Sequence, residues 1–192
     1  MLKVYINPET VMLNDKPLAH NEQGAALLTE LYRNHIGDYP KFFKMDTLSK
    51  LGFVASELLL QAEGGTRFEP REDRAIVFFN RSASLQADTA YQATIQDKES
   101  FFPSPAAFVY TLPNIVTGEI AIRNKYFGET SFIVLPKHDP QIMAQQLQLA
   151  FLDPITTSVL GGWLDCTDEN HFEAELFITE QLKCFAFDEV TD

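Results

Sequence analysis

The stretch SPAAFVYTLPNIVTGEIAIRNKYFGETSFIVLPK, residues 104–137, decides the fold that we predict for this chain. Thr111 is a suitable cap for a helix with Pro113 in its first turn, where a missing N–H is harmless. Gly128 is predicted to turn the chain with a positive φ angle. The apolar run from Ser131 to Leu135 is typical of a strand that is covered on both faces. The stretch thus predicts an extended segment, a helix, a glycine turn and a buried strand.

Strands and helices alternate along the rest of the chain. The clearest further helix is predicted over residues 46–61, where Asp46 is a good N-cap and apolar residues recur at helical spacing. This alternation predicts a single layered α/β domain over residues 1–192. Five strands are predicted over residues 2–6, 75–79, 131–135, 156–164 and 173–179, with a short sixth over 183–187, and other helices over 24–34, 84–96 and 140–151.

The composition is typical of an ordinary cytoplasmic protein. The chain has 192 residues, of which 45% are hydrophobic, so it is long enough to bury one well-formed core. No apolar run approaches the length of a membrane span, and no secretory leader is recognisable at its start. The two cysteines, Cys166 and Cys184, do not make a disulfide framework, which favours the cytoplasm.

The negative charge is concentrated in the last quarter of the chain. Residues 1–138 carry 14 basic and 16 acidic side chains, whereas residues 139–192 carry 1 and 11. Such a surface repels nucleic acids and anionic membranes, so neither is an expected partner. An acidic protein would have to dock on the earlier part of the chain. The basic residues there, which are otherwise simply solvated, are Lys41, Lys44, Lys50, Arg67, Arg71, Arg74 and Arg81.

The quoted stretch resembles the approach to the nucleophile in β-ketoacyl-acyl carrier protein synthases, members of the thiolase-like superfamily. In that family a segment of the form SP-x5-TL-x-N-x3-G is followed by a helix, a glycine and a buried strand that ends at the active-site cysteine. The resemblance covers most of this chain but only the N-terminal half of the family's proteins. The matching residues are Ser104, Pro105, Thr111, Leu112, Asn114, Gly118 and Gly128, with further similarity over residues 44–55 and 159–162.

The resemblance implies a thiolase-like half-fold, a five-stranded mixed sheet of strand order 3-2-1-4-5 with helices on both faces. It also puts the strand before the nucleophile at a sheet edge, where the strand pairs with its twin in a dimer. An apolar edge strand left bare invites aggregation, so a covered edge is expected on physical grounds as well. We therefore predict a homodimer, or a heterodimer with a ketosynthase, through the strand from Ser131 to Leu135.

Lys137 occupies the position of the family's nucleophile. A synthase thiolate lies at a helix N-terminus, whose amides lower the thiol pKa and hold the oxyanion. A lysine could form a Schiff base only if desolvation moved its amine pKa far below ~10.4. Asp139 and Pro140 predict that the next helix starts after Lys137. His138 is the polar neighbour of Lys137, and the two are either substrate-binding residues or exposed residues of a turn.

Phe108 is the remaining candidate for substrate binding. The resemblance places it where synthases carry a residue that lines the acyl tunnel near the dimer interface, so its ring would shorten or plug the channel. The alternative is a packed core aromatic. No metal or cofactor is predicted, because Cys166, His171 and Cys184 fit none of the usual zinc spacings. Residues 165–170 are predicted to form a solvated acidic loop.

The resemblance implies a role without catalysis. A working synthase needs two histidines from its C-terminal half, and the chain ends at Asp192, before that half. We expect a truncated, synthase-like accessory protein, similar to the chain-length-factor subunits that pair with a ketosynthase in fatty-acid, polyketide or aryl-polyene biosynthesis. Acyl carrier protein is a further candidate partner. The alternatives are 3-oxoacyl-acyl carrier protein synthase activity assembled with a partner subunit, and an acyl-binding protein.

Overall fold

A computed structural model describes residues 1–99 and 101–180 of the chain. Strands and helices alternate as the sequence predicts. The strands are β1 (Leu2–Ile6), β2 (Val11–Leu13), β3 (Lys16–Pro17), β4 (Arg74–Asn80), β5 (Thr130–Val134), β6 (Ser158–Asp168) and β7 (His171–Glu180). The helices are α1 (Gly24–His35), α2 (Thr47–Glu63), α3 (Leu85–Ile95), α4 (Pro105–Val109), α5 (Ile115–Asn124) and α6 (Pro140–Ala150), with a 3₁₀ helix at Pro40–Lys44.

All seven strands belong to one mixed sheet, in the order β3-β2-β1-β7-β6-β4-β5. Strands β5, β4 and β6 run parallel to one another, and β7 returns antiparallel to β6. β1 pairs antiparallel with the outer side of β7 and is followed by the small β2-β3 extension. The carboxyl ends of three neighbouring parallel strands therefore meet at one edge of the sheet.

The predicted five-stranded sheet of order 3-2-1-4-5 is wrong in two respects. The sheet has seven strands, because residues 11–17 form two short strands beside β1. The five predicted strands also lie in the order 3-2-4-5-1, since β7 follows β6 directly as its hairpin partner. That pairing leaves the far side of β7 for β1, where Val4 faces Leu176 and Ile6 faces Ala174. The first strand is thus not central.

The two faces of the sheet carry cores of different size. The larger core lies under α1, α2 and α5, and α2 is its main helix, with a fully buried central part. Gly52 lets α2 approach closely, because a Cβ there would lie 2.5 Å from Val116 and 2.7 Å from Leu164. The smaller core lies under α6 and includes Met143 and Leu147. Helices on both faces of the sheet are confirmed.

The part of the stretch over residues 104–137 that precedes β5 folds with three differences from the prediction. The extended segment contains the short helix α4, and the next helix begins at Ile115, later than the predicted cap. Lys125, and not Gly128, takes the left-handed conformation after α5, with φ 56°. Gly128 is needed for a different reason, because a Cβ there would lie 2.4 Å from the carbonyl oxygen of Arg74. This close approach brings the chain onto the start of β4.

β5 lies at the edge of the sheet and is not covered on both faces. It pairs with β4 alone among the strands that the structure describes, and Val134 is 50% exposed. The predicted acidic loop over residues 165–170 is also wrong, since β6 continues to Asp168 and β7 begins at His171. Pairing across the hairpin extends both strands into this polar segment. The sixth strand predicted over residues 183–187 lies outside the described residues.

Candidate functional site

The candidate site lies at the carboxyl ends of β4, β5 and β6. In open sheets of this kind, ligands bind beyond the carboxyl ends of parallel strands. The segment that joins β5 to α6 crosses this edge and carries Lys137 and His138. Lys137 thus lies between a sheet strand and the following helix, as the sequence predicts.

Lys137 points into solvent. Its side chain is 77% exposed, and its Nζ atom lies 3.9 Å from Oδ2 of Asp139. A lysine becomes a nucleophile in proteins when burial or a second cation disfavours its charged form. Neither condition holds here, because the amine is hydrated and its charged neighbour is a carboxylate. The geometry therefore gives Lys137 no activation.

The N-terminus of α6 is already occupied by a carboxylate of the chain itself. Oδ1 of Asp139 accepts a hydrogen bond of 3.2 Å from the backbone N–H of Ile142, and Pro140 supplies no N–H. A free set of amides at this point would hold an oxyanion. The capping carboxylate places negative charge there, which disfavours a second anion.

His138 borders a small apolar cleft between α6 and the sheet. Its ring lies 4.9 Å from the ring of Trp163 in an edge-on arrangement, and its Nε2 atom lies 3.9 Å from Glu175. The cleft has a volume of about 120 Å³ and is lined in part by Met143 and Phe177. Its mostly apolar lining suits an apolar group.

Phe108 lies on the surface, on α4. Its ring is 53% exposed and lies 5.3 Å from the ring of Tyr91 on α3. It is therefore not a packed core aromatic. No hydrogen bond, ion pair or ring contact within residues 1–99 and 101–180 joins Phe108 to Lys137 or His138. A role in an acyl tunnel stays a prediction, and it would need a partner chain to cover the ring.

Cys166 does not have the environment of a reactive cysteine. It is 2% exposed in β6, and its thiol donates to the carbonyl oxygen of Asp168 over 3.4 Å. Burial, reinforced by Asp46 and Asp165, raises the pKa of the Cys166 thiol to about 12. The thiolate is thus scarce at neutral pH. Among the described residues no group of three metal-ligating side chains converges, and Cys184 lies outside them.

The turn from β4 to α3 is part of the same edge and was not predicted. The backbone N–H groups of Arg81 and Ser82 donate to Oδ1 of Asp165 over 3.2 and 3.0 Å. The buried Asn80 holds this turn, since its side chain donates to the carbonyl oxygen of Ala83 and accepts from the Ala83 N–H. An asparagine at a strand end is a turn signal that could have indicated this. The amides here, as at α6, already bind an internal carboxylate.

Most of the basic residues predicted as docking candidates are used inside the fold. Arg67 binds Glu57 at 2.7 Å, Arg71 binds Asp73 at 2.9 Å and Arg74 binds Glu63 at 2.6 Å. Lys41 lies 2.5 Å from the buried carboxylate of Glu119. Within the described part of the chain, the candidates that make no ion pair are Lys44, Lys50 and Arg81.

Comparison with solved structures identifies the fold. The ishigamide ketosynthase/chain length factor superimposes with a TM-score of 0.66 at 16% identity, over 95% of this chain and 61% of that one. A chain from the solved complex of the ketosynthase ApeO with its chain length factor ApeC, from Xenorhabdus doucetiae, superimposes with a TM-score of 0.61 at 14% identity. That match covers 94% of this chain and 78% of the other. The chain thus has the thiolase-like fold of ketosynthases and chain length factors, as the resemblance implies.

Comparison of sequences adds no family assignment. No family model matches this sequence, and no curated protein matches it. The chain spans about three fifths of the length of the first of the two structures. No helix within residues 1–99 and 101–180 combines the length and the apolar character that a membrane crossing requires.

Proposed function

We propose that this protein is a non-catalytic, ketosynthase-like subunit of the cytoplasm that pairs with an active ketosynthase, as a chain length factor does, in fatty-acid, polyketide or aryl-polyene biosynthesis. The observation that carries the proposal is the exposed amine of Lys137 between β5 and α6, where the resemblance puts the synthase cysteine. The exposed amine has neither the burial nor the neighbouring cation that would activate a lysine as a nucleophile. The partner would therefore supply the thiolate.

The cap of α6 supports the same assignment independently of the lysine. A condensing enzyme needs unoccupied amides at this helix N-terminus to stabilise a thiolate and an oxyanion. Here the Asp139 carboxylate accepts from the Ile142 N–H, so the position that favours negative charge is filled. Replacing the lysine by cysteine would thus not by itself rebuild a synthase site.

The edge strand β5 supports pairing with a second chain. Because the Leu135 N–H donates to the Asn80 carbonyl oxygen of β4 over 2.7 Å, the N–H of Val134 points away from β4. The Val134 side chain is 50% exposed, and Phe127, just before the strand, is 69% exposed. An unpaired edge with apolar side chains is stabilised when another strand covers it. The two solved structures compared above are named as a ketosynthase/chain length factor and as a ketosynthase in complex with its chain length factor.

Sedimentation velocity with a candidate ketosynthase partner tests the pairing. We expect a one-to-one complex, and we expect the variant Val134→Lys to weaken it at least about tenfold, because a charge would enter the covered edge. The matched control is Leu152→Lys, which adds the same charge at a side chain that is 76% exposed after α6. Equal effects of the two variants would contradict pairing through β5.

Turnover separates the accessory role from catalysis. The isolated chain, incubated with malonyl carrier protein and an acyl primer, is expected to form no condensation product, while the complex is expected to be active. Activity of the complex should survive Lys137→Ala in this chain and be lost when the partner's cysteine is replaced. Product formed by this chain alone, and abolished by Lys137→Ala, would show an enzyme instead.

A further inference from the structure

The face of the sheet that carries α6 is covered unevenly. α6 packs mainly on β4 and β6, whereas β7 and β1 lie farther out in the same sheet. Alternate residues of β7, such as Ala174 and Leu176, belong to the larger core on the opposite face, so Glu175 and Phe177 point to the α6 side. Lys3 of β1 is the register partner of Phe177 and borders the same cleft. The sheet therefore extends beyond α6 on this face.

The cleft between α6 and β7 has the size of one aromatic ring. It is the cleft of about 120 Å³ that His138 borders. Met143, Ala144 and Leu147 of α6 line one side of it, and Phe177 lines the other. An apolar cavity of about 150 Å³ holds a benzene molecule. A single phenyl ring therefore suits both the volume and the lining of this cleft.

The chain supplies such a ring a few residues beyond β7. β7 ends at Glu180, and the sequence continues as QLKCFAF over residues 181–187, which lie outside the described residues. Phe177 lies three residues before the end of β7, about 10 Å along the strand. Five residues span up to about 17 Å, so Phe185 can reach back to the cleft. The sequence becomes acidic at Asp188, which ends the apolar part of this segment.

The charge of this segment also matches the rim of the cleft. Lys183 is the only lysine or arginine over residues 139–192, and it lies inside the apolar segment. On the β7 side the cleft is bordered by Glu175, whose side chain is 55% exposed. Lys3, the lysine at this rim, is already paired with Asp15 over 2.8 Å. A second cation beside Glu175 is therefore favourable.

We propose that residues 182–187 fold back over this cleft and that the phenyl ring of Phe185 fills it. Lys183 then lies beside Glu175, since residues two apart in an extended segment point the same way. Reach, volume and charge support this occupant, and none of the three depends on the proposed function. With the ring in place, the chain itself closes the candidate site on the side of His138, and the cleft takes up no ligand from solvent.

Methyl NMR spectroscopy of the full chain tests this contact. With the methionine methyl groups labelled with ¹³C, we expect NOEs from the Met143 methyl group to the Phe185 ring, and their loss in Phe185→Leu, which keeps an apolar side chain. The matched control is Phe102→Leu, at a ring that is 75% exposed and does not line the cleft. Methyl NOEs that are the same in Phe185→Leu and in the unaltered protein, or that vanish only in Phe187→Leu, would overturn the proposal.

Benzene tests whether the cleft is already filled. The Phe185 ring should exclude benzene from the unaltered protein, whereas Phe185→Ala should open the cleft. We expect the variant to bind benzene at least about tenfold more tightly, seen as a saturable shift of the Met143 methyl signal. Phe102→Ala should behave like the unaltered protein. Equal affinity for benzene with and without the Phe185 ring would show that the cleft is open, and would overturn the proposal.

A mixed sample distinguishes the chain's own segment from that of a second copy. Methyl-labelled Phe185→Leu is combined with unlabelled, unaltered protein, so that NOEs from the Met143 methyl group to a Phe185 ring can arise only between two chains. We expect none, and we expect the NOEs within the unaltered protein to persist on about tenfold dilution. NOEs in the mixed sample, or NOEs that fade on dilution, would make a second copy the occupant and overturn the proposal.

Discussion

The two ends of the parallel strands use charge in opposite ways. At the amino ends, Arg74 is 1% exposed and makes two hydrogen bonds to Glu63, of 2.7 and 2.6 Å, and a third to Ser158. Beside it, Arg71 makes two hydrogen bonds to Asp73. At the carboxyl ends, Lys137 is 77% exposed and lies 3.9 Å from its nearest carboxylate oxygen. The charges at the amino ends are matched, and that of Arg74 is buried, whereas the charge of Lys137 at the carboxyl ends is solvated.

This difference means that the charges at the amino ends contribute to stability, whereas the charge at the carboxyl ends contributes little to it. A buried charge must be matched, because an unpaired one carries a desolvation penalty of several kcal/mol, ~3–5 when a partner is removed. An exposed charge contributes little to stability and can be exchanged freely. The exposed Lys137 at the carboxyl ends of the strands can therefore be replaced without loss of the fold. At the amino ends of the strands, the buried charge of Arg74 and its partner Glu63 cannot be exchanged in this way.

Removal of the Glu63 carboxylate should have the largest effect. Glu63→Ala leaves the Arg74 guanidinium buried without its carboxylate, so we expect a loss of about 3–5 kcal/mol in the free energy of unfolding, measured by urea denaturation. The double variant Arg74→Met/Glu63→Ala removes both charges and should recover much of that loss. A loss below about 1 kcal/mol for the single variant would break the comparison, since exposed pairs already contribute that much.

Gly128→Ala should have the next largest effect, by steric conflict at the amino edge. The new methyl group would lie 2.4 Å from the Arg74 carbonyl oxygen, so β4 or the turn must move, and we expect a loss of about 1–3 kcal/mol. Gly118→Ala in α5 is the control, since no atom lies within 4 Å of the new group. Because alanine favours the helix, that variant should gain about 0.5–1 kcal/mol. Thermal unfolding of the two proteins compares them directly.

Local patterns were enough to predict the elements but not their neighbours. The helix predicted over residues 46–61 forms α2 at Thr47–Glu63, because its cap and periodicity lie within the segment itself. The strand order failed, since no local pattern tells that β1 pairs with β7 across more than 160 residues. Gly128 shows the same limit. Its sequence context predicts a turn glycine, while its necessity comes from the distant carbonyl of Arg74.

The candidate site was predictable to the same extent. Asp139 and Pro140 start α6 as predicted, which fixes Lys137 between a strand and a helix. The use of the basic residues was not predictable, because Arg67 finds its partner Glu57 only once α2 and the following loop pack together. Arg67, Arg71 and Arg74 read as surface cations in the sequence, and the fold pairs each with a carboxylate.

The Asp73 pair adds a dependence on pH at the amino edge. Arg71, and also a hydrogen bond of 2.6 Å from Thr157, hold the pKa of Asp73 well below its usual range. The stabilisation is therefore present above the unfolded-state pKa of about 3.9 and is lost as the pH falls toward the lower folded-state pKa.

Asp73→Asn isolates this contribution. The Asp73 side chain is 36% exposed, so we expect a loss of only about 1 kcal/mol at pH 7, with the difference from the unaltered protein shrinking below about pH 4. Asp15→Asn, which removes an exposed pair with Lys3, should change the unfolding free energy by less than about 0.5 kcal/mol at either pH. Identical pH profiles for the two variants would show that Asp73 has no special role.

Lys137→Cys should have the smallest effect on stability, and the reactivity of the new thiol reports on the electrostatics at the carboxyl ends of the strands. Because the side chain is exposed, we expect the unfolding free energy to change by less than about 0.5 kcal/mol. In a Cys184→Ser background the new thiol should react with iodoacetamide along an ordinary pH profile near pKa ~8.5, since Asp139 already caps α6. Cys166 should stay unreactive, because burial raises its pKa to about 12. A profile shifted well below neutral pH would mean that the carboxyl ends of the strands retain the electrostatics of a condensing enzyme. The lysine alone would then account for the absence of activity.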